Sequence, residues 1–242
     1  MQMLILCGGL GTRLRPLTED IPKPMLVFDN KPFLQYLIEY YKGQGINEFV
    51  LSVGYLKEKI IKYFGNGKKF GVKINYSQEN VPLGTGGALF KARKILKNVF
   101  FVVNGDTFRE VNLNDLRQFY KKRDALCVIG VSNCMRKQNS GFVKFDKKWR
   151  IIDFRSFGDT KIGYVNNGIY LMDKRIFEFF PKGKSSLEYD VFSKIKNGLF
   201  AYKIQKGYFI DIGTVKTYNQ FAREFYKVKN VIGNTLKSSG EN

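Results

Sequence analysis

The sequence predicts an α/β fold in which helices wind doubly around a mostly parallel, mixed sheet. Apolar strand-like segments alternate with amphipathic helical segments over residues 3–104, a pattern typical of parallel sheets covered on both faces. A glycine-rich turn follows the first predicted strand directly. With 242 residues, of which 44% are hydrophobic, the chain is long enough to bury the core of one large domain.

The individual elements are predicted from apolar periodicity and from runs of β-branched and aromatic residues. In the parallel half they are a strand at 3–7, a helix at 32–41, a strand at 48–53, a helix at 57–64, a strand at 72–76, a helix at 88–96 and a strand at 99–104. Strands at 125–131, 141–145, 150–154, 164–171 and 199–203 follow at shorter separations, which indicates an antiparallel or mixed portion. We expect one domain over residues 1–228 and a polar, frayed C-terminal tail over residues 229–242.

The turn after the first strand has the composition of a polyphosphate site. Three glycines within Gly8-Gly9-Leu10-Gly11 let the backbone turn sharply and bring its N–H groups against an oxyanion. Arg13 adds a positive charge, and so does Lys23, whose flanking prolines restrict the backbone that aims it. The spacing fits neither a dinucleotide fingerprint nor a Walker A loop. On glycine spacing alone, a tight strand-to-helix turn is an equal alternative.

Composition removes several classes of site. The chain contains no histidine, which excludes histidine-based triads, histidine general bases and histidine metal ligands. Its three cysteines are odd in number and lack metal-binding spacing, as expected of free thiols in a reducing cytoplasm. We find neither a signal peptide nor an apolar stretch long enough to span a membrane. The sequence therefore predicts a cytoplasmic protein without a membrane partner.

The formal charge of +20 attracts anions, but it does not by itself identify a partner. The basic residues are spread along the chain rather than gathered in one block, which is typical of solvated helix faces. Nucleic-acid binding is therefore the minority interpretation, and it predicts affinity that falls steeply with salt.

Six short motifs carry a family resemblance. They are Gly8-Gly9-Leu10-Gly11-Thr12-Arg13-Leu14-Arg15-Pro16-Leu17-Thr18 with Pro22-Lys23-Pro24-Met25, Pro82-Leu83-Gly84-Thr85-Gly86-Gly87-Ala88, Asn104-Gly105-Asp106-Thr107, Asn166-Asn167-Gly168-Ile169-Tyr170 and Phe209-Ile210-Asp211-Ile212-Gly213-Thr214. In content and order they resemble the motifs of sugar-1-phosphate nucleotidyltransferases, also called nucleotide-sugar pyrophosphorylases. The resemblance covers residues 3–220 and implies the Rossmann-like nucleotidyltransferase fold. Some relatives carry a C-terminal β-helix of hexapeptide repeats; we expect a single domain without it.

The resemblance implies an in-line attack by a sugar 1-phosphate oxygen on the α-phosphorus of a nucleoside triphosphate, with release of pyrophosphate. That nucleophile is already ionised, so catalysis rests on positioning and charge. The implied catalytic residues are Arg13 for the leaving pyrophosphate and Lys23 for the α-phosphate or the sugar phosphate. Asp106 and Asp211 match the metal-binding positions, which implies Mg²⁺. Each aspartate adjoins or interrupts an apolar strand, where a lone Asp is more often a helix cap.

The base of the nucleotide is predicted from Glu79. By its spacing to Gly84 it falls where relatives contact the base, and a carboxylate accepts two parallel bonds from guanine N1–H and N2–H. This favours GTP, the alternative being an exposed Glu in a polar loop. We expect Gly86 and Gly87 to let the backbone approach the base or sugar. The nucleotide-binding residues implied by the resemblance are Leu6, Gly8, Gly9, Gly11, Thr12, Glu79, Gly84 and Thr85.

The sugar is harder to predict, because one segment departs from the family pattern. The implied sugar-binding residues are Gly141, Asn166, Asn167 and Glu188; the last of these could instead simply begin a helix. Many members carry Phe-x-Glu-Lys where this chain has Phe154-Arg155-Ser156-Phe157. Arg155 or Lys161 could replace the missing cation, but no residue obviously replaces the acid.

Within the family, the short chain and Glu79 most resemble D-glycero-D-manno-heptose 1-phosphate guanylyltransferases. Mannose-1-phosphate guanylyltransferases come next, and uridylyl- or thymidylyltransferases for other hexose 1-phosphates are further alternatives. A non-catalytic regulatory protein that binds nucleotide sugars is the alternative of another class; the presence of Arg13, Lys23, Asp106 and Asp211 favours the enzyme. The resemblance also implies a role in supplying cell-surface polysaccharide precursors, and family members commonly form homo-oligomers.

Overall fold

The structure, a computed structural model, describes residues 1–135, 142–154 and 162–239. The strands within these ranges are β1 (Gln2–Leu6), β2 (Val27–Phe28), β3 (Lys31–Pro32), β4 (Glu48–Val53), β5 (Lys73–Gln78), β6 (Val99–Asn104), β7 (Thr107–Arg109), β8 (Cys127–Met135), β9 (Phe142–Phe145), β10 (Ile151–Asp153), β11 (Ile162–Asp173), β12 (Leu199–Lys203) and β13 (Phe209–Asp211). The α-helices are α1 (Phe33–Lys42), α2 (Lys57–Phe64), α3 (Gly84–Ala92), α4 (Leu113–Lys121) and α5 (Val215–Ser239). None of the described helices is both long and apolar enough to cross a membrane.

The chain divides into two compact units, each assembled from separate segments. Unit 1 contains Met1–Pro82, Val103–Glu110 and Tyr208–Asn242. Unit 2 contains Leu83–Val102 and Val111–Gly207.

Unit 1 is built on parallel strands. β4 pairs in parallel with β1 on one side and with β5 on the other, and β7 pairs antiparallel with β13. The middle residues of β1 and β4 are wholly buried, as is usual where both faces of a parallel sheet are covered. Because parallel strands end at the same edge, the segments that follow β1, β4 and β5 lie close together.

The last helix of unit 1 differs from the polar tail expected over residues 229–242. α5 continues to Ser239, and Val228 and Ile232 are buried. These residues are four apart, so they share one face of the helix despite the polar residues between them. Near the end of α5, a Cβ at Gly43 would lie 3.0 Å from Thr235 Cγ2, which shows close packing there. The overall polarity of the segment hid this apolar stripe.

Unit 2 contains the mixed portion that the sequence predicts. β8 pairs antiparallel with β11 and in parallel with β12, while β9 pairs antiparallel with β11 and β10. The register between β11 and β8 shifts between Asn166 and Tyr170, at the asparagine pair of the fifth motif. A β-bulge of this kind re-aims side chains locally.

The predicted elements agree well with the structure, and the α/β class with a mixed sheet is confirmed. The strands predicted at 48–53, 99–104 and 199–203 and the helix predicted at 57–64 have the observed bounds. The helix predicted at 88–96 instead begins at Gly84 and ends at Ala92. Glycine is a poor helix former, so the helical pattern begins only after Gly87; tertiary packing extends the helix backward.

Candidate active site

The glycine-rich turn in unit 1 is held open by its own backbone and by a buried threonine. Cys7 N donates to Ser52 O at 2.7 Å, which continues the β1–β4 pairing for one residue beyond β1. Gly11 then takes a left-handed conformation (φ 68°), and a 3-10 turn begins at Thr12. Thr18 is 0% exposed and its Oγ1 donates to Gly11 O at 2.9 Å. Sequence reasoning assigned no separate role to Thr18, although it ends the first motif.

Glu79 is an acidic residue that lies against this turn. It follows β5, is only 6% exposed, and accepts a hydrogen bond from Ser52 Oγ at 3.2 Å. A Cβ at Gly8 would lie 2.6 Å from Glu79 Oε1, so the carboxylate packs directly against the turn. The alternative interpretation, an exposed Glu in a polar loop, is therefore wrong.

Lys23 and Asp106 form an ion pair. Lys23 Nζ lies 2.6 Å from Asp106 Oδ2, and both side chains are partly buried. Thr107 Oγ1 donates to the other carboxylate oxygen at 3.1 Å. Lys23 begins a short 3-10 turn, and the preceding Pro22 is extended.

Asp211 lies on the strand next to Asp106. Across the β7–β13 pair Asp211 is opposite Thr107, and Ile212 N donates to Asp106 O at 2.8 Å. Asp211 Oδ1 accepts from Gly213 N at 3.0 Å. A Cβ at Gly213 would lie 2.8 Å from this oxygen and 3.4 Å from a guanidinium nitrogen of Arg13. Both predicted metal ligands and both predicted catalytic cations therefore lie at one end of unit 1.

The buried thiol of Cys7 belongs to the same surroundings. Burial and the negative charge of Asp106 both raise the pKa of Cys7. The thiol stays protonated at neutral pH, which does not suit a nucleophile.

The carboxylates present suit an Mg²⁺ ion that also takes ligands from water and substrate, rather than one bound by protein ligands alone. Asp106 and Asp211 offer hard carboxylate oxygens. No group of three or more Asp, Glu, Cys or His residues gathers anywhere in the described part of the chain. Mg²⁺ usually completes such a shell with water and substrate phosphates.

In unit 2, the glycines at the start of α3 lie directly against another segment of the chain. Gly86 N donates to Ser185 O at 2.8 Å, and a Cβ at Gly84, which has φ 70°, would lie 2.5 Å from the same oxygen. A Cβ at Gly87 would lie 2.5 Å from Gly183 O. Gly86 and Gly87, expected to admit a base or sugar, are thus in contact with the protein backbone instead.

Thr85 is exposed, and its hydroxyl accepts from Leu187 N at 2.9 Å. It therefore supports the π-helix Leu187–Val191, which carries Glu188.

Four side chains of unit 2 form what we call the Glu188 cluster: Asn166, Tyr170, Ser186 and Glu188. Asn166 Nδ2 donates to Tyr170 Oη at 2.7 Å and to Glu188 Oε1 at 3.3 Å. Tyr170 Oη also donates to Glu188 Oε1 at 3.3 Å, and Ser186 Oγ donates to Glu188 Oε2 at 3.0 Å. The structure thus brings together Asn166 and Glu188, which the resemblance implies for the sugar. Sequence reasoning missed Tyr170 and Ser186, although Tyr170 ends a quoted motif.

The remaining predicted sugar residues fall elsewhere. Asn167 is 1% exposed, and its Nδ2 donates to Ser132 Oγ at 2.9 Å. Its Oδ1 has no hydrogen-bond partner among the described residues. The prediction for Gly141 and the departure at Arg155-Ser156-Phe157, with Lys161, lie outside the described residues.

Comparison with known proteins supports the resemblance along nearly the whole chain. The model of the nucleotidyl transferase family matches residues 2–227. The D-glycero-alpha-D-manno-heptose 1-phosphate guanylyltransferase of Campylobacter jejuni is 40% identical over 222 residues, covering 91% of this chain and 98% of that protein. The enzyme of the same name from Aneurinibacillus thermoaerophilus is 38% identical over 228 residues, covering 93% and 98%.

A solved structure gives the same result for the fold. The crystal structure of HddC from Yersinia pseudotuberculosis complexed with GMP-PN matches with a TM-score of 0.81 and 34% identity, covering 93% of this chain and 99% of that one. The predicted Rossmann-like nucleotidyltransferase fold and enzyme class are confirmed. The chain belongs to the nucleotidyl transferase family and is a nucleotidyltransferase.

Proposed function

We propose that this enzyme transfers a guanylyl group from GTP to a manno-heptose 1-phosphate in the presence of Mg²⁺, releasing pyrophosphate and a GDP-sugar. The observation that carries the proposal is the buried Glu79 carboxylate packed against the glycine-rich turn at Gly8. The names of the two relatives and of the GMP-PN complex support the same chemistry.

Glu79 accounts for the choice of base. A fixed carboxylate beside the turn can accept from guanine N1–H and N2–H, whereas uracil or thymine offers one N–H. Desolvation strengthens this discrimination, because a buried acceptor facing the wrong base loses its partner. The nucleotide phosphates would then follow the turn formed by Gly8, Gly9, Gly11 and Thr12, with Leu6, Gly84 and Thr85 as the other proposed nucleotide contacts.

The reaction needs positioned charge more than acid–base chemistry. The attacking phosphate oxygen is ionised, and the chain has no histidine to act as a base. Arg13 would stabilise charge on the departing pyrophosphate, and Lys23 would bind the α-phosphate or the sugar phosphate. Asp106 and Asp211 would hold Mg²⁺, which when bound would neutralise phosphate charge.

Sugar recognition is assigned to unit 2. The Glu188 carboxylate can accept hydrogen bonds from sugar hydroxyls, with Asn166, Asn167 and Gly141 as the other proposed residues of this site. The sugar is a heptose in our proposal, since both relatives named above carry that name. Mannose 1-phosphate is the alternative to be tested beside it.

We also propose that the enzyme acts in the cytoplasm, in the supply of cell-surface polysaccharide precursors. Cys7 and Cys127 are free and buried, which suits a reducing compartment. Homo-oligomerisation remains a prediction from the family resemblance.

The test is pyrophosphate release with Mg²⁺ from GTP, CTP, UTP, dTTP and ATP, each paired with manno-heptose, mannose and other hexose 1-phosphates. We expect turnover with GTP and the heptose, lost in Asp106→Asn and retained in the exposed-carboxylate control Asp115→Asn. Turnover with another pair would overturn the substrate assignment. Nucleotide binding without turnover of any pair would favour the regulatory alternative.

A further inference from the structure

Tyr170 is a buried hydroxyl at the centre of the Glu188 cluster. It is 1% exposed, and its ring packs on Phe192 with the centroids 5.8 Å apart. The strand β11 carries it just beyond the register shift that begins at Asn166. A rigid aromatic side chain anchored in this way can hold a polar atom in one place at little entropic cost.

The hydrogen bonds around Tyr170 fix the direction of each donor. Asn166 Oδ1 accepts from Gly168 N at 2.9 Å, which orients the amide so that its nitrogen faces the cluster. Both N–H groups of that nitrogen are then used, one on Tyr170 Oη and one on Glu188 Oε1. Tyr170 has a single proton, and it goes to the same Glu188 oxygen.

The proton of Tyr170 stays in place at every physiological pH. Burial and the Glu188 carboxylate both raise the pKa of the Tyr170 hydroxyl well above its ordinary value. The hydroxyl is therefore a permanent donor to Glu188. Glu188 Oε1 accepts from Tyr170 and Asn166, whereas its Oε2 accepts from the Ser186 hydroxyl and from no other described residue. Glu188 itself is half-buried.

We propose that Tyr170 is a positioning residue, which together with Asn166 fixes the Glu188 carboxylate so that its Oε2 side faces the sugar hydroxyls. This inference rests on the proposed function of Glu188. It assigns direct sugar contact to Glu188 and gives Asn166 an indirect role, because both N–H groups of the Asn166 amide already donate within the protein. A preorganised acceptor binds a hydroxyl pattern more selectively than a mobile one.

The test is Tyr170→Phe, which removes one oxygen and keeps the ring against Phe192. We expect the KM for the sugar 1-phosphate to rise about tenfold, as expected for loss of a bond to a charged group, while kcat and the KM for GTP stay within about twofold. The matched control is Tyr120→Phe. Tyr120 is another tyrosine of unit 2 whose hydroxyl donates to a carboxylate, that of Asp173 at 3.1 Å.

A double-mutant cycle with Glu188→Gln separates positioning from structural support. If Tyr170 acts through the Glu188 carboxylate, Tyr170→Phe changes the sugar KM by less than about twofold in the Glu188→Gln background. An equal effect in both backgrounds, or a rise in the KM for GTP, would show a general structural role and overturn the proposal. If Tyr170→Phe fails to fold, Asn166→Ala, which removes the other donor to Oε1, enters the same cycle.

The wild-type enzyme separates the two ways of failing. If it neither binds nor turns over any sugar 1-phosphate of the panel, the proposed function fails, and the role of Tyr170 fails with it. If the wild type is active and Tyr170→Phe keeps the wild-type sugar KM, only the role of Tyr170 is overturned.

Discussion

The charged residues of unit 1 (Arg13, Lys23, Asp106 and Asp211) and the Glu188 cluster of unit 2 differ in the kind of side chain that they contain. In unit 1, the side chains carry full charges: Lys23 pairs with Asp106, and Arg13 lies against Gly213. In unit 2, one carboxylate is surrounded by neutral donors, Asn166 and Tyr170 on β11 and Ser186 before the π-helix.

The difference matches two kinds of chemistry. Phosphate groups are recognised by charge and by backbone N–H groups, which tolerate variation in the rest of the ligand. Sugars offer hydroxyls, which are told apart by the position of each acceptor. We therefore expect changes in unit 1 to affect turnover with every sugar, and changes in the Glu188 cluster to affect one sugar against another.

Among the variants that test this difference between the two units, we expect Lys23→Gln to have the largest effect. We expect kcat to fall on the order of 10²- to 10³-fold, as when one preorganised electrostatic group is lost. Because the lysine acts on phosphate, the factor should be the same for heptose and mannose 1-phosphates in steady-state assays. The control is Lys31→Gln, whose lysine pairs with Glu39 at 3.0 Å in the same unit and should leave kcat unchanged. A factor that depends on the sugar would break the comparison.

Glu79→Gln should give the next largest effect. Glutamine keeps an oxygen for the Ser52 hydroxyl but replaces the second acceptor with an N–H₂ donor, which faces the guanine donors unfavourably. We expect the KM for GTP to rise on the order of tenfold to a hundredfold, with little change for UTP. Competition assays with the two nucleotides measure the ratio. Glu110→Gln, which alters another carboxylate of unit 1 that accepts a backbone N–H, is the matched control.

The two clusters also differ in how far the sequence could predict them. Lys23, Asp106 and Asp211 are recognisable because each stands in a short motif beside a strand, and the pairing of β7 with β13 brings the two aspartate segments together. The contact between Thr85 and Leu187 and the hydrogen bonds of Tyr170 join positions that no local pattern connects. The burial of Glu79 could not be predicted either, because no local pattern indicated that Ser52 and Gly8 lie against its carboxylate.

Glycines illustrate the same limit. Their spacing in the α3 motif predicts close approach by another group but not which group. In unit 2 that group is the backbone at Ser185 and Gly183 rather than an empty space for a ligand. The sequence shows where a side chain is missing, but only the tertiary fold determines which group packs against that glycine.

Ser186→Ala tests the other carboxylate oxygen of Glu188, and its expected effect is smaller. It removes the hydroxyl that donates to Glu188 Oε2 at 3.0 Å. We expect the sugar KM to rise about three- to tenfold, with the KM for GTP unchanged, as for one hydrogen bond to a carboxylate. Ser193→Ala removes a serine hydroxyl that bonds instead to Tyr189 O, so it serves as the control. Equal effects of the two variants would contradict a specific role for the cluster.

The smallest effect concerns stability, and it tests whether the phosphate turn of unit 1 is held as firmly as the Glu188 cluster. Thr18→Val keeps the side-chain shape but leaves Gly11 O without its hydroxyl donor. We expect the free energy of unfolding, measured by urea denaturation, to fall by about 1 kcal/mol, since Gly11 O loses one hydrogen bond and keeps only the one from Leu14 N at 2.9 Å among the described residues. Thr235→Val is the control, because its hydroxyl bonds to the carbonyl of Val231 within α5, at a half-buried position. If both variants lose the same small amount, the turn is held by its backbone alone, and only the sugar cluster depends on side-chain positioning.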